Sequence, residues 1–483
     1  MKKIPFLIIP SIIITLTYLI FQSSGPAWIG YHYDPDYPYL FNSLNIAKFK
    51  TPGHVDHPGT PLQIIGAGVL EMGNWQQGAP NLEEDVLTRP EWYLALFNQV
   101  LLILTFLTIF CTGWLTYKLT NNRWYGWLFQ ITPLLSETAV PDLNRISPEP
   151  LLFIFSMWFS YFLLRVFILH TEEPRTVVLL GILSGLSIAT KINSLPWLII
   201  PIIILSKVNK FKYLIVTMFT FWLFLLPVFR YWPKILGWLV ALLIHSEKYA
   251  YGAETVFNLK QMIINFINMS IHEPWLLIMT ITTIILSRKH RIIAGIAIFL
   301  IIFELWVTKH YALRYVMPAL GMLGMIMIII WDSIKNTRSR FLYLVLIGAV
   351  ILVNLTKNVL SIKVVSSNLI EAKTIDNIIK RNFSDHIVVQ YYGASSPEAA
   401  LEFGNLYANN NYGQIIFSKY PQFYYFLLGS NSLIHKNSII PFPNYPNILF
   451  RGVPLEGVYS KFKPNFALSE VFIGKAEALY LIR

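Results

Sequence analysis

Of the 483 residues, 55% are hydrophobic and only 13% are charged, against roughly 25% charged residues in an average soluble domain. This composition is typical of a membrane protein. The 38 Lys and Arg exceed the 26 Asp and Glu by 12, and in so apolar a chain this excess indicates cytoplasmic loops that set topology rather than nucleic-acid binding. The single cysteine, Cys111, excludes an intrachain disulfide and a cysteine-based zinc or iron–sulfur site.

Eleven apolar runs predict membrane-spanning helices. They lie at 4–21, 96–117, 124–141, 150–169, 176–190, 195–205, 213–229, 263–286, 292–308, 315–331 and 341–357. No small-residue cleavage site follows the first run, so we interpret it as a retained span rather than a signal peptide. The runs at 176–190 and 195–205 fall short of the ~20 residues that a span needs. We therefore expect them to form a re-entrant pair or to be extended by tilted turns.

Lysine and arginine are much denser in short loops, such as 207–212 and 288–291, than in the longer loops of the opposite face. This asymmetry predicts a multi-pass protein of the plasma (inner) membrane with a cytoplasmic N-terminus. The larger extracytoplasmic pieces are then 23–95, 230–262 and everything after residue 357. Within the first two we expect interfacial helices at Pro38–Lys50, Thr60–Met72 and Ile235–Ile244.

Past residue 357 the composition becomes mixed polar and apolar. Short runs at His386–Tyr391, Gln414–Phe417 and Ala478–Ile482 predict strands, and Pro397–Asn405 predicts a helix. The sequence thus predicts an all-α polytopic membrane protein of about 11 transmembrane helices over residues 1–357. A small extracytoplasmic α/β domain follows over residues 358–483.

The first extracytoplasmic loop concentrates acidic, histidine and aromatic residues at 31–39. Asp34 and Asp36 point to one side if the chain is extended, which Pro35 favours for the residue before it. Two carboxylates on one side can hold a proton, accept one from a hydroxyl group or ligate a divalent cation. The alternative is a proline-rich loop whose aspartates are solvated or cap a turn.

The second part of that loop is His57-Pro58-Gly59-Thr60-Pro61. This segment predicts a rigid turn into a helix, with Thr60 as N-cap and Pro61 at the first helical position. Asp56 and His57 either line a site or serve only this turn.

Three basic residues, Arg145, Lys191 and Arg314, fall near the extracytoplasmic ends of predicted spans. Each alone is interpretable as an interface anchor. Three on one face, opposite an acidic loop, indicate a site for a phosphate and a hydroxyl group. Lys191 is the most conspicuous, because it interrupts an apolar hairpin where a charge costs ~2.5–3.5 kcal/mol or more.

Glu304 is an acid within an apolar run, and it either belongs to the site or pairs with an Arg or Lys. His272-Glu273-Pro274 either lines the same cavity or begins a transmembrane helix at Pro274. The sequence has no GxxxxGK[ST], no GxGxxG after a strand, no HExxH and no GxSxG motif. Nucleotide hydrolysis, dinucleotide binding and serine or zinc hydrolysis therefore lack a sequence motif.

Residues 1–357 resemble the GT-C superfamily, the multi-span glycosyltransferases that use polyprenyl-phosphate-linked sugars, among them protein O-mannosyltransferase and aminoarabinose transferase relatives. The resemblance lies in the order of five motifs after a first span. These are Asp34-Pro-Asp36-Tyr37, the turn at His57–Gly59, Ser147-Pro148-Glu149-Pro150, the run ending in Ala189-Thr190-Lys191, and Arg314-Tyr315 followed by Pro318.

The resemblance implies a catalytic base at Asp36 or Asp34, because in this family the acidic residue of the first loop takes that role. It implies that Lys191, Arg145 and Arg314, with Tyr315 beside it, hold the phosphate of the donor. Substrate contacts are expected from Asp56, His57, Tyr37 and Glu304. No cofactor is expected, since branches with monophosphate donors generally use no metal, although other branches use a divalent cation such as Mg²⁺ or Mn²⁺.

The sequence therefore predicts an inverting glycosyltransferase that moves a sugar from a polyprenyl-phosphate donor to an acceptor hydroxyl group outside the membrane. The expected partners are this donor, membrane lipids and a lipid, glycan or protein acceptor, and no nucleic acid. One alternative is a flippase or secondary transporter of a lipid-linked sugar, for which inverted repeats and midplane charge are the expected signs. Another is an extracytoplasmic glycan polymerase or ligase.

Overall fold

The computed structural model describes residues 4–29, 33–56, 58–143, 145–246, 254–391, 396–419, 423–427, 448–452, 468–475 and 477–482. The helices in chain order are α1 (Pro5–Ser24), α2 (Tyr33–Ala47), α3 (Thr60–Gln77), α4 (Leu82–Thr88), α5 (Pro90–Thr120), α6 (Arg123–Gln130), α7 (Ala139–Asp142), α8 (Pro148–Leu169), α9 (Pro174–Thr190), α10 (Ile199–Ile204), α11 (Lys207–Leu225), α12 (Trp232–Ile244), α13 (Leu259–His272), α14 (Pro274–Leu286), α15 (Arg291–Lys309), α16 (Met317–Ser333), α17 (Thr337–Asn382), α18 (Pro397–Tyr407) and α19 (Gly413–Lys419). The strands are β1 (Ile387–Tyr391), β2 (Phe423–Leu427), β3 (Ile448–Gly452), β4 (Leu468–Ile473) and β5 (Ala478–Ile482). Short 3-10 turns occupy Thr132–Leu135, Ile192–Leu198, Leu226–Tyr231, Ser287–Lys289 and Leu313–Val316.

The chain forms two compact units. The first unit comprises Met1–Leu19, His54–Ile65 and Asn98–Val359. The second unit comprises Ile20–Gly53, Gly66–Phe97 and Leu360–Arg483. Parts of the segment 23–95 therefore belong to each unit, and α17 contains the boundary between Val359 and Leu360.

Within the described residues, seven helical segments are long and apolar enough to cross a membrane, or eight if α13 and α14 form one bent span. The seven are Pro5–Ser24, Pro90–Thr120, Pro148–Leu169, Lys207–Ile244, Arg291–Lys309, Leu313–Ser333 and Thr337–Asn382. The protein is thus a multi-pass helical membrane protein, but the expected number of about 11 spans is not confirmed. Two of the predicted runs form the short helices α9 and α10, and the run at 124–141 divides into α6, a 3-10 turn and α7.

Proline and polar residues explain the break at 124–141. Pro133 cannot donate a helical hydrogen bond, and it lies at the start of the 3-10 turn Thr132–Leu135. Ser136 then adopts an extended backbone, with φ −102° and ψ 137°. A different departure concerns Ile235–Ile244, which was expected as a separate interfacial helix. It lies in α12, which continues the helical segment that begins at Lys207.

Close backbone contacts organise the first unit around α8. A Cβ atom added to Gly321 of α16 would lie 2.2 Å from the Ser156 Oγ of α8, so these helices pack closely only because position 321 lacks a side chain. Gly185 of α9 makes a similar approach, since a Cβ atom there would lie 2.6 Å from the carbonyl oxygen of Thr217 in α11. These contacts hold α8 against α16 and α9 against α11. The polar residues of the candidate site lie at the start of α8 and just after the end of α9.

A five-stranded sheet lies in the second unit, in the order β2-β1-β3-β5-β4. Strand β1 is parallel to β2 and β3, whereas β5 is antiparallel to β3 and β4. The strands predicted near 387–391 and 478–482 and the helix predicted at 397–405 are present. The predicted strand Gln414–Phe417 is wrong, because these residues form most of α19.

Helix α2 packs against the C-terminal segment within the second unit. The Asn42 side-chain amide donates to the carbonyl oxygen of Tyr407 over 3.1 Å, and the Tyr412 hydroxyl donates to Asn45 Oδ1 over 2.8 Å. A Cβ atom at Gly404 of α18 would lie 2.8 Å from the Phe41 ring, so glycine permits this approach. The helix that carries Asp34 and Asp36 is therefore fixed by polar and apolar contacts with α18 and its flanking loop.

Candidate functional site

The basic residue Lys191 is buried in the first unit and paired with a carboxylate. Helix α9 ends at Thr190, and Lys191 adopts an extended backbone with φ −160° and ψ 132°. Its Nζ donates to Glu149 Oε1 over 2.6 Å, and each side chain is only 2% exposed. Glu149 lies in the first turn of α8, where the helix dipole stabilises a negative charge. The charge that interrupts the apolar hairpin is thus compensated by an ion pair.

Tyr315 lies beside this pair, with the Lys191 ammonium 4.2 Å from the centroid of its ring. The Arg314 guanidinium lies 5.8 Å from the same centroid. Both cations interact favourably with the Glu149 carboxylate. The structure therefore brings together three of the four residues that were predicted to hold the donor phosphate.

The fourth, Arg145, belongs to the same electrostatic cluster through Asp142. Asp142 ends α7, and it interacts electrostatically with Arg145, Arg314 and Glu149. Burial raises the pKa of Asp142 to about 7; the nearby Glu149 carboxylate adds to the rise, and Arg145 and Arg314 oppose it. We call Asp142, Arg145, Glu149, Lys191, Arg314 and Tyr315 the basic cluster.

The two arginines differ from Lys191 in exposure. Arg145 and Arg314 are partly exposed, whereas Lys191 is buried against Glu149. Both arginines are suited to bind an anion, because a guanidinium group presents several N–H donors in a fixed plane.

The loop that precedes α3 is paired with Lys191. Pro58 forms an isolated antiparallel β-bridge with Lys191, and Gly59 has the positive φ of 74° that this turn requires. The predicted turn into a helix is present, but Thr60 is the first residue of α3 rather than its N-cap, and its buried hydroxyl has no hydrogen-bond partner among the described residues. Asp56 is half-buried two residues before the bridge, and His57 lies outside the described residues. Sequence motifs far apart in the chain thus meet beside the basic cluster.

The acidic motif of the first loop lies in the second unit. Asp34 is extended, with φ −102° and ψ 112°, and Asp36 is buried near the start of α2. Tyr37 is fully buried, and its hydroxyl donates to Glu91 Oε1 over 2.6 Å. Glu91 also accepts a hydrogen bond from the Ala27 backbone N–H over 2.7 Å. The aromatic residue next to Asp36 is therefore held by a carboxylate that the sequence did not single out.

Glu304 lies buried within α15, where its carboxylate accepts a hydrogen bond from the Thr280 hydroxyl of α14. Among the described residues no ion pair involves Glu304. Of the two roles predicted for Glu304, pairing with an Arg or Lys is thus not seen among these residues.

A second polar network surrounds Glu273, at the break between α13 and α14. The bend between these helices is 100°. Glu273 Oε1 accepts hydrogen bonds from the hydroxyl groups of Ser136 and Thr138, each over 2.9 Å, and Oε2 accepts one from the Trp275 indole. Pro274 does begin α14, as one of the sequence interpretations proposed. The hydrogen bonds to these partners explain why a carboxylate is buried at this helix break, and the sequence did not predict them.

No group of three or more His, Cys, Asp or Glu side chains suited to a metal ion occurs in the part of the chain that the structure describes. Whether the protein uses a divalent cation is not decided by this observation, and the expectation that it needs no cofactor stays a prediction.

Comparison with solved structures shows the fold. The crystal structure of ArnT from Cupriavidus metallidurans bound to undecaprenyl phosphate aligns with a TM-score of 0.55 at 9% sequence identity, over 98% of this chain and 97% of that chain. The chain has the fold of ArnT. The apo structure of the same protein aligns over the same shares at 10% identity with a TM-score of 0.47. No family model matches the sequence, and no curated protein does.

The ArnT-like fold agrees with the multi-pass helical architecture expected from the sequence. This similarity extends over nearly the whole chain, whereas the sequence resemblance was confined to residues 1–357. At 9% identity, the correspondence concerns architecture, and residue roles rest on the geometry described above.

Proposed function

We propose that this protein is an inverting glycosyltransferase that moves a sugar from a polyprenyl-phosphate donor to an acceptor hydroxyl group on the extracytoplasmic side of the membrane. The observation that carries this proposal is the basic cluster, in which Arg145 and Arg314 are partly exposed and Lys191 is paired with Glu149. The similarity to ArnT, which was crystallised with undecaprenyl phosphate bound, supports a lipid phosphate as the anion.

The charge balance of the basic cluster suits a phosphate. Three cations face Glu149 and Asp142, and the raised pKa of about 7 leaves Asp142 partly protonated near neutral pH. When Asp142 is neutral, the cluster carries a formal charge of +2. It then matches the roughly −1.5 to −2 charge of a phosphate monoester. The negative charge that develops on the leaving phosphate is stabilised by Arg145 and Arg314.

Transfer then proceeds by displacement at the anomeric carbon. The acceptor hydroxyl oxygen forms a bond to this carbon, and its proton passes to the carboxylate of Asp36. The bond between the anomeric carbon and the phosphate oxygen breaks, and polyprenyl phosphate leaves with the electron pair. Asp34 is the alternative base. Inversion follows because the acceptor attacks the face opposite the leaving group.

The remaining assignments belong to the same proposal. Asp56, His57, Tyr37 and Glu304 are proposed substrate-binding residues, and Tyr315 supports the donor phosphate through its contacts with Lys191 and Arg314. We propose the plasma (inner) membrane as the location, with the N-terminus in the cytoplasm. We also propose residues 1–357 as the catalytic membrane domain and 358–483 as an extracytoplasmic domain.

The test is release of polyprenyl phosphate from a panel of polyprenyl-phosphate sugars by purified protein in lipid. Wild type is compared with Asp36→Asn and Asp34→Asn. Release from one donor that one Asn variant abolishes, at unchanged folding, identifies the donor and the base together. Slow hydrolysis by water reveals the donor even before the acceptor is known.

The same preparations test the alternatives. Translocation of a lipid-linked sugar across vesicles by the Asp36→Asn variant would favour a flippase or transporter. Release only from pyrophosphate-linked donors would favour a glycan polymerase or ligase.

A further inference from the structure

The segment that carries Asp142 and Arg145 has little regular structure of its own. It begins at Ser136, where the backbone becomes extended, passes through the four-residue helix α7 and reaches α8 at Pro148. A helix of a single turn cannot fix a side chain by its own hydrogen bonds. The position of Arg145 therefore depends on what holds this segment, which we call the 136–145 segment.

Glu273 holds the start of that segment. Its Oε1 accepts from the Ser136 hydroxyl and the Thr138 hydroxyl, each over 2.9 Å, and from the Thr138 backbone N–H over 3.3 Å. The Ser136 hydroxyl oxygen in turn accepts from the Ala139 backbone N–H over 3.2 Å, at the first turn of α7. One carboxylate oxygen thus orders both the entry to the segment and the start of its helix.

The two oxygens of Glu273 have separate partners. Oε1 bonds the 136–145 segment, whereas Oε2 bonds the indole of Trp275 on its own side of the helix break. Glu273 itself is fully buried. A buried side chain whose oxygens both have hydrogen-bond donors has little freedom to move, and the bonds to the 136–145 segment use only Oε1.

A second connection joins the same two pieces of chain, and here the carboxylate belongs to the 136–145 segment. Glu137 of the segment pairs with His272, the neighbour of Glu273, over 3.3 Å, and it also pairs with Lys357 of α17. Each piece of chain thus supplies one carboxylate that binds a side chain of the other piece. Desolvation would raise the pKa of Glu137, but its bonds to Lys357 and His272 outweigh this and lower it, so the carboxylate stays ionised at neutral pH.

We propose that Glu273 is a positioning residue for anion binding, which acts through the 136–145 segment by holding Arg145 where it meets the donor phosphate. This inference rests on the proposed function for the identity of the anion. It assigns to the helix break between α13 and α14 the role of orienting one arginine of the basic cluster. Arg314 lies on a different segment, at the start of Leu313–Ser333, so we expect its position not to depend on Glu273.

The first experiment measures the affinity for undecaprenyl phosphate in a double-mutant cycle. Glu273→Leu in the wild-type background is expected to weaken binding about tenfold, because the Ser136 and Thr138 hydroxyl groups lose their common acceptor. In the Arg145→Ala background the same change is expected to have almost no effect, whereas with Arg314→Ala its effect is retained in full. Equal effects in both arginine backgrounds, or an unchanged affinity for Glu273→Leu alone, would overturn the proposal.

The second experiment needs no ligand. Hydrogen exchange in peptides that cover 136–145 is expected to accelerate at least severalfold in Glu273→Leu and in the milder Ser136→Ala variant. The matched control is Trp275→Phe, which removes the donor to Oε2 and is expected to leave exchange in 136–145 unchanged. Ser136→Ala also replaces Glu273→Leu in the binding cycle if the latter does not fold.

The two experiments separate the inference from the proposed function. If wild-type protein binds no undecaprenyl phosphate while exchange in 136–145 still depends on Glu273, the donor assignment is wrong and the positioning of the segment stands. If exchange in 136–145 is the same in all variants, the positioning role is wrong whatever the protein binds.

Discussion

The Lys191 ammonium donates to the Glu149 carboxylate over 2.6 Å, and both side chains are almost completely buried. Lys191 ends a short apolar helix, and Glu149 begins a long one. Their pairing links the two helices at the place where the basic cluster forms. Lys191 is therefore a structural support of the cluster as well as one of its cations.

This pair predicts an unequal response to single and double substitution. Lys191→Met alone leaves the Glu149 charge buried without its partner and is expected to cost about 3–5 kcal/mol of stability. Adding Glu149→Leu is expected to restore most of that stability, because an apolar pair of similar volume replaces the ions. Thermal unfolding of the purified variants in detergent measures both effects.

Activity should not follow stability in this series. The double variant is expected to stay well below a tenth of wild-type donor turnover, since the cluster has lost a cation and Tyr315 has lost its contact with the Lys191 ammonium. Normal turnover by a stable double variant would show that the pair only supports the fold.

Asp142 predicts a pH dependence of anion binding. Its pKa is raised to about 7 by burial, so between pH 6 and pH 8 it passes from mostly neutral to mostly charged. The added negative charge beside Arg145 and Arg314 is expected to weaken binding of undecaprenyl phosphate on the order of tenfold. Calorimetric titration at pH 6, 7 and 8 measures this.

The control for that prediction is Asp142→Asn, which keeps the side-chain shape and removes the titration. The phosphate of the lipid itself gains charge with a pKa near 6, which strengthens binding as pH rises. The Asn variant is expected to show this opposite trend alone. A wild-type profile identical to that of the variant would contradict the role of Asp142.

The raised pKa of Asp142 also predicts that the stability of the folded protein decreases as the pH rises. Because the folded-state pKa of Asp142 lies above the ordinary value of 3.8, the folded protein binds more protons than the unfolded chain between about pH 4 and pH 7. Stability from this group is therefore full below about pH 4 and is lost as the pH rises toward 7. Above pH 7, Asp142→Asn is expected to be more stable than wild type.

The sequence was sufficient for much of the fold, since long apolar runs specify spanning helices directly. The expected number of about 11 spans is not confirmed, because hydropathy alone does not weigh Pro133, Ser136 and Glu137, which divide one run into short pieces. The strand predicted at Gln414–Phe417 failed for a related reason. A short apolar run fits a strand or a buried helix equally well, and the surrounding fold decides between them.

For the candidate site, the sequence identified the cations but not what holds them. Lys191 and Arg314 stand out because a charge near an apolar segment needs a reason. The partners Glu149 and Asp142 lie in a separate segment, and only the packing of α8 against α9 and α16 brings them near. A pair between distant segments leaves no local pattern in the sequence. The sequence therefore placed Glu149 in a motif but did not predict its pairing with Lys191.

The hydrogen bond between Tyr37 and Glu91 predicts a loss of stability when the Tyr37 hydroxyl is removed. Its hydroxyl is a buried donor to Glu91, so Tyr37→Phe leaves Oε1 of that carboxylate without this hydrogen bond. The expected loss of stability is about 1–3 kcal/mol, measured by thermal unfolding. Combining Tyr37→Phe with Glu91→Gln should give a smaller loss than the sum of the single changes. Full additivity would mean that the two side chains do not interact.

Arg451 is a buried cation in the second unit, as Lys191 is in the first, and it joins β3 to α17. Its Nε donates to Glu477 over 3.1 Å, its Nη1 pairs with Asp376, and its Nη2 donates to the carbonyl oxygen of Ala372 over 3.2 Å. The side chain is 1% exposed. Arg451→Ala is therefore expected to cost about 3–5 kcal/mol, because two carboxylates lose their common partner.

Hydrogen exchange distinguishes this local loss from general unfolding. Peptides from 448–452 and 478–482 are expected to lose protection in Arg451→Ala, while peptides from α8 and α16 keep it. Arg451→Lys should recover little, since an ammonium group cannot reach three acceptors in the plane that a guanidinium serves. The control Lys419→Ala removes an exposed contact with Thr88 and should change stability by no more than about 0.5 kcal/mol. Wild-type protection of β3 and β5 in Arg451→Ala would contradict the anchoring role.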